Sequence, residues 1–181
     1  MLQRAWSRSV SAALLFAFAG TFLASCASTP SDFAHREFAP QPGFDAIAFF
    51  TGRSEGRGEL SKVFSKPVAV QVSSVGSVDG EGTLTLVQDI TEGDKAMRTR
   101  SWTIREVSPG RYEGTLTDAT GPVEGESEGN RLTLRYKMDG GFQVKQVLTL
   151  SPDGNSASNR LTVSLVGIRV AVLGEEIVKS Q

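Results

Sequence analysis

The chain has 181 residues, 39% of them apolar, with 19 basic and 20 acidic side chains and a net charge of −1. That balance leaves no electrostatic footprint for nucleic acid; the single cysteine excludes an intrachain disulfide framework and a Cys-cluster zinc site; the single histidine removes most His-based metal sites and catalytic dyads. Nineteen glycines set among short apolar runs point to an all-β protein, one domain with a tail.

Arg4 and Arg8 are the only charges before Asp32, and Val10 to Leu23 is apolar or small. A basic start followed by an apolar run of about 14 residues is the length of a secretory signal and too short for a usual spanning helix. The run ends in Leu23-Ala24-Ser25-Cys26, which resembles the bacterial lipoprotein lipobox. That resemblance implies a signal over 1–25, cleaved before Cys26, and acyl chains on Cys26 that anchor the protein to a membrane. An ordinary cleaved signal with a chance cysteine is the alternative. Several acyl chains make a stable anchor where a single one does not, and acylation would consume a thiol that is a liability in an oxidising compartment. Ala27 in place of Asp implies transfer to the outer membrane, on its periplasmic face.

Residues 26–43 read as a linker. Pro30, Pro40 and Pro42, with Ser28, Thr29 and Ser31, give it little to bury, so an extended or mobile segment is expected. The histidine, His35, falls here and reads as a solvated linker residue.

From Phe44 to Gln181 short apolar stretches alternate with turn signals. These are Ser65-Lys66-Pro67, Asp79-Gly80, Glu92-Gly93-Asp94, Pro109-Gly110, Gly121-Pro122, Gly129-Asn130, Asp139-Gly140-Gly141 and Pro152-Asp153-Gly154. Gly supplies positive φ, Pro presets φ, and Asp or Asn bonds the turn backbone. Close spacing suits an antiparallel meander, because parallel strands need long crossovers. Leu84, Leu86, Gln88 and Ile90 share one face of a strand, as do Leu132, Leu134, Tyr136 and Met138, and Phe142, Val144, Gln146, Leu148 and Leu150. Val68, Val70 and Val72 continue the pattern, with Leu161, Val163 and Leu165. Residues 168–179 are ambiguous and read as a kinked strand or short tail. So many strands in one sheet should curl and close, which removes exposed edges. The expected fold is an all-β, antiparallel up-and-down barrel of about 8–10 strands; a two-sheet sandwich is the alternative.

The domain has no His and no Cys, so Ser/His/Asp and Cys/His nucleophilic sites are not expected, which leaves a carboxylate pair as the acid–base alternative. No segment matches a phosphate-binding glycine loop. Glu124, Glu126 and Glu128 alternate along one strand and read as a solvated face rather than a calcium site. No metal and no cofactor is expected, and the chain reads as a binding or structural protein rather than an enzyme.

The most unusual strand is Met97 to Val107. Trp102 and Ile104 should point inward, and period 2 then turns Arg100 the same way. Buried Arg is costly unless paired. Gln88, Tyr136 and Gln146 also stand on apolar faces. With Tyr112 they make a candidate ligand-binding set of Arg100, Trp102, Gln88, Tyr112, Tyr136 and Gln146: a few polar groups in an apolar cavity. Arg100 would anchor a carboxylate or phosphate head. The alternative is a packed core in which these groups satisfy one another.

Several motifs together resemble the bacterial lipoprotein family of domain of unknown function 3833. They are Phe49-Phe50-x-Gly52, Gly56-x-Gly58, the Asp79-Gly80 turn, Arg100-Ser101-Trp102-x-Ile104 and Gly110 to Thr115, followed by Gly121 to Gly125, Gly129-Asn130 and Gly167-Ile168-x-Val170. The resemblance implies a calycin-like, lipocalin-like barrel on an envelope lipoprotein and supplies no reaction; the Gly-x-Trp signature of lipocalins is absent. The functional expectation is an outer-membrane-anchored lipoprotein that binds a small hydrophobic or amphiphilic ligand, such as a fatty acid or lipid. Its partners would be the membrane, through Cys26, and that ligand, with no nucleic acid. A packed-barrel envelope protein that acts through its surface is the alternative.

Overall fold

The computed structural model describes residues 36–180. The signal segment 1–25, Cys26 and His35 lie outside the described residues. Ten strands follow one short helix, α1 (Ala46–Phe50): β1 (Gly52–Lys62), β2 (Val68–Val78), β3 (Leu84–Glu92), β4 (Arg98–Ser108), β5 (Arg111–Leu116), β6 (Val123–Glu128), β7 (Arg131–Met138), β8 (Phe142–Leu150), β9 (Ser156–Leu165) and β10 (Ile168–Lys179). Each pairs antiparallel with its sequence neighbour, and β1 pairs with β10 from Ser54↔Lys179 to Lys62↔Ala171, closing the barrel. The expected up-and-down barrel is therefore the fold, and the ambiguous stretch 168–179 is its closing strand.

Every turn expected from Gly, Pro, Asp and Asn falls between strands. Asp79 shows the mechanism: its Oδ1 accepts from the backbone of Glu81 at 2.9 Å and Thr83 at 2.8 Å, an Asx turn. The inward faces are the apolar ones read from period 2. On β3, Leu84, Leu86, Gln88 and Ile90 are buried while Thr85, Val87 and Asp89 are not. Outward faces carry charge, as in Arg53, Glu55 and Arg57 on β1 and Arg135 and Lys137 on β7. A membrane-spanning barrel needs the reverse, an apolar outer band.

The two ends of the barrel differ. One end is closed by α1, a helix not anticipated from the sequence. Asp45 caps the helix, its side chain accepting from Ala48 N at 3.0 Å, and Thr51 Oγ1 donates back to Ile47 O at 2.7 Å. One and a half turns are too short to show helical periodicity. Phe44, Phe49 and Phe50 pack into the barrel end at 3–6% exposure, ring against ring. Gly76 makes room for them: a Cβ there would strike the carbonyl of Phe50.

Residues 36–43 belong to the same end. Asn130 N donates to Ala39 O and Asn130 Oδ1 accepts from Ala39 N, both at 2.8 Å, while Nδ2 donates to Glu37 O at 3.1 Å. Arg36 pairs with Glu176 at 2.6 Å. The described part of the expected linker is thus irregular backbone tied to the barrel base, because Asn130 supplies acceptor and donors to it.

The other end is open, ringed by the β1–β2, β3–β4, β5–β6, β7–β8 and β9–β10 connections. The core has two parts. A large cluster runs from the closed end up the β4–β9 side of the barrel, and a small one of Val70, Val72 and Ile90, with Leu60 and Leu173 against it, lines the wall opposite.

Candidate functional site

Between these clusters lies a cavity of about 230 Å³ that opens at the mouth. Phe50 of α1, Trp102 and Ile104 are among its lining at the deep end, and Leu60, Ile90 and Met138 nearer the mouth. Its size exceeds the ~150 Å³ that holds a benzene ring and falls short of the ~300 Å³ at which drug-sized pockets begin.

Polar groups stand in this apolar wall. Gln88 of β3 pairs in register with Arg100 of β4, which puts both side chains on the inner face. Gln88 Oε1 accepts from Arg100 Nε at 3.0 Å and from Trp102 Nε1 at 2.7 Å, using both lone pairs. Gln88 Nε2 donates to Ser74 Oγ at 3.2 Å. The Arg100 guanidinium also lies over the Trp102 ring, 5.2 Å from its centroid, and Tyr136 meets the same ring edge-on at 5.5 Å. Arg100 is held through Nε by Gln88, and the Tyr136 hydroxyl stands close to it. Arg98, closer to the mouth, pairs with Asp118 at 2.9 Å and Glu92 at 3.5 Å; among the described residues Arg100 has no carboxylate within 4 Å. Burial lowers its pKa, with the nearby Arg98 adding to this and Tyr136, Asp118 and Glu175 opposing it; a guanidinium stays charged all the same.

Glu175 of β10 and Asn159 of β9 stand across the barrel in the same cavity. Asn159 Nδ2 donates to Glu175 Oε2 at 2.8 Å. Burial pushes the Glu175 carboxyl above the ordinary carboxylate range, against the pull of the Asn159 hydrogen bond and the Arg100 charge. The space for this side chain comes from β1. A Cβ at Gly56 would collide with the Glu175 carboxyl, and one at Gly58 would sit 2.9 Å from its Cβ. Two further acceptors, Gln146 Oε1 and Asn159 Oδ1, are buried without a donor among the described residues.

The structure brings Gln88, Arg100, Trp102, Tyr136 and Gln146 together around one cavity. It does not bring Tyr112 there. That residue lies at the closed end, its hydroxyl accepting from Ala46 N at 3.3 Å. Strand β5 runs from the closed end towards the mouth, so its second residue faces α1 and not the cavity. Sequence reasoning missed Glu175 and Asn159. The signal was present: Ala171, Leu173, Glu175 and Ile177, and Ala157, Asn159 and Leu161, alternate as inward faces. Glu124 and Glu126 lie outside the barrel; Glu126 pairs with Arg111 at 2.9 Å, and Glu124 stands opposite Arg135.

The sequence profile of the family described as "Protein of unknown function (DUF3833)" matches residues 20–171, and the chain belongs to that family. No curated protein sequence matches the chain. Among solved structures it is similar to an S-type phycobiliprotein lyase, CPES, from Guillardia theta, with a TM-score of 0.59, 7% identity, and coverage of 75% of this chain and 90% of that one. It is also similar to a protein of unknown function from the DUF3598 family of Nostoc punctiforme, with a TM-score of 0.52 and 10% identity. That match covers 77% of this chain and spans half the length of the other. At these identities the likeness concerns the fold: a calycin-like barrel.

Proposed function

We propose that this DUF3833 protein is a lipid-anchored binding protein of the bacterial envelope, and that its barrel takes a small amphiphile with an anionic head group. The observation that carries the reading is Arg100. Its charge faces an apolar cavity, fixed by Gln88 and Trp102 and without an ion-pair partner among the described residues. Burying an unpaired charge is costly, and a carboxylate supplied by a ligand would complete the pair with charge-assisted hydrogen bonds. The remaining cavity accommodates a short alkyl chain or a single ring. Hydroxyl or amine donors on the ligand would satisfy Gln146 Oε1 and Asn159 Oδ1. A packed barrel would leave no cavity beside the guanidinium. Binding without reaction suits a domain whose sequence holds no His or Cys from Phe44 onward. The lipobox supports the anchor, and the family match, which starts at residue 20, includes Cys26. An outer-membrane location rests on Ala27 alone.

Trp102 reports on the site. Titration with octanoate should change its fluorescence, and Arg100→Leu should weaken that binding by about 10- to 100-fold, the value of a charge-assisted hydrogen bond. Octanol, which has the chain without the charge, should bind both proteins alike. Equal octanoate affinity in the two proteins, or no response to any straight-chain carboxylate, would overturn the reading.

A further inference from the structure

The mouth of the barrel is apolar on one side only. Phe64 in the β1–β2 connection is 92% exposed, Met97 in the β3–β4 connection 63%, and Val166 in the β9–β10 turn 89%, with Ile168 beside it at 61%. Around the closed barrel these three hairpins are adjacent, since β9, β10, β1, β2, β3 and β4 follow one another without a gap. The β5–β6 and β7–β8 connections complete the ring and are polar, with Asp118, Thr120, Asp139 and Gly140.

Two of these tips bear a second cost. Phe64 has φ 59° and Val166 φ 49°, the left-handed region that bulky and β-branched residues avoid. Gly or Asn would serve either turn better on both counts, exposure and backbone. Strain of this kind is retained where a side chain has work outside the fold. The neighbours point to the occupant. Each tip pairs its apolar group with a cation: Phe64 with Lys66, Met97 with Lys95, Val166 and Ile168 with Arg169. The same tips hold two carboxylates, Asp94 and Glu92, and Glu92 pairs with Lys95 at 3.1 Å and with Lys62 and Arg98 at 3.4 and 3.5 Å, so this side of the mouth still carries more cations than carboxylates.

We infer that this side of the mouth docks on an anionic phospholipid bilayer, with Phe64, Met97, Val166 and Ile168 entering the acyl boundary and Lys66, Lys95 and Arg169 at headgroup level. Apolar side chains flanked by Lys and Arg have the make-up of an interfacial membrane contact. A stable protein partner needs about 800 Å² of continuous surface on each side, whereas these side chains stand on separate tips with Ser65, Asp94 and Gly167 between them. The strands that end in these tips line the cavity with Leu60, Val70, Ile90 and Leu173, so an amphiphile can pass from bilayer to Arg100 beside the Lys62–Glu92–Arg98 ion pairs. Docking itself does not depend on the cavity being a ligand site. It is also distinct from an anchor at Cys26, because the N-terminal segment meets the barrel at the opposite end.

The test uses the full chain with Cys26→Ala, which removes the anchor and the native thiol. A single cysteine is then placed at the mouth (Asp94→Cys) or at the closed end (Glu81→Cys) and labelled with a polarity-sensitive fluorophore. With vesicles of phosphatidylethanolamine and phosphatidylglycerol, the mouth label should shift to the blue and the closed-end label should not. Adding Phe64→Asp and Val166→Asp should lower the vesicle-bound fraction reported by the mouth label at least tenfold, the scale set by withdrawing two buried side chains. Octanoate binding should stay unchanged in that variant. Equal shifts at the two labels, or a shift that survives both substitutions, overturn the inference. No shift at the mouth overturns it too and leaves the tips to a protein partner. Loss of octanoate binding by Arg100→Leu is read separately, so the docking and the ligand reading fail independently.

Discussion

At the scale of single residues, Glu175 makes the sharpest claim. Burial raises its pKa above the ordinary 4.5, so the folded protein binds a proton that the unfolded chain has released. Stability therefore falls as pH rises from the unfolded value towards the folded one. Asn159, Arg100 and the bare backbone at Gly56 and Gly58 are its surroundings. Glu175→Gln keeps the shape and removes the titration. Its thermal stability should exceed that of the wild type at pH 7 by more than it does at pH 4, where the two should converge. An unchanged difference across that range would show that Glu175 titrates normally. Glu92, at the mouth, behaves in the opposite way. Burial pushes it up, but hydrogen bonds and charge from Lys95 and Lys62 outweigh this and hold it below its usual range. Such partly exposed ion pairs are screened and contribute little. The inward placement of Arg100, Trp102, Gln88, Tyr136 and Gln146 was readable because period 2 alone assigns a strand's faces. Depth was not, so Tyr112 joined them on paper although it serves the closed end.

At the scale of elements, β1 shows how a motif becomes legible only with its neighbour. Gly56-x-Gly58 looks like a weak strand, since glycine costs order. The pairing of β1 with β10 places Glu175 over those two positions. Gly56→Ala should destabilise the barrel by about 1–3 kcal/mol through overpacking. Glu175→Ala in the same chain should recover a large part of that loss, a coupling expected of residues in contact. Urea unfolding of the two single variants and the double variant measures it; strict additivity would mean that the two do not meet. The helix α1 was hidden for a related reason. Its Phe49 and Phe50 are as apolar as any strand face, and five residues carry no period. Only its insertion beneath Gly76 makes it a plug. The β9–β10 turn went unmarked because Val166 is not a turn residue, and that mismatch between residue and backbone is what singles it out.

At the scale of the whole molecule, polarity runs along the barrel axis. The N-terminal segment enters at the end closed by α1, and the cavity opens at the other. Among the described residues no helix is long and apolar enough to cross a membrane. The proposed anchor is Cys26. In the native host, Cys26→Ala should move the protein from the membrane fraction to the soluble fraction, as fractionation and immunoblotting would show. A variant that stayed membrane-bound would refute acylation at that residue. The sequence by itself determined the strand faces, the turns and the expectation of closure, because alternation and turn chemistry are local and each is written within a few residues. It also carried the contiguous Leu23-Ala24-Ser25-Cys26, which resembles a lipobox. Tertiary structure decided which inward polar residues share one cavity, which end is plugged, that Glu175 lies over a glycine pair, and that three apolar tips fall side by side at the mouth. Those relations join residues far apart in sequence, such as Gly56 and Glu175. They exist only once β1 and β10 have closed the barrel.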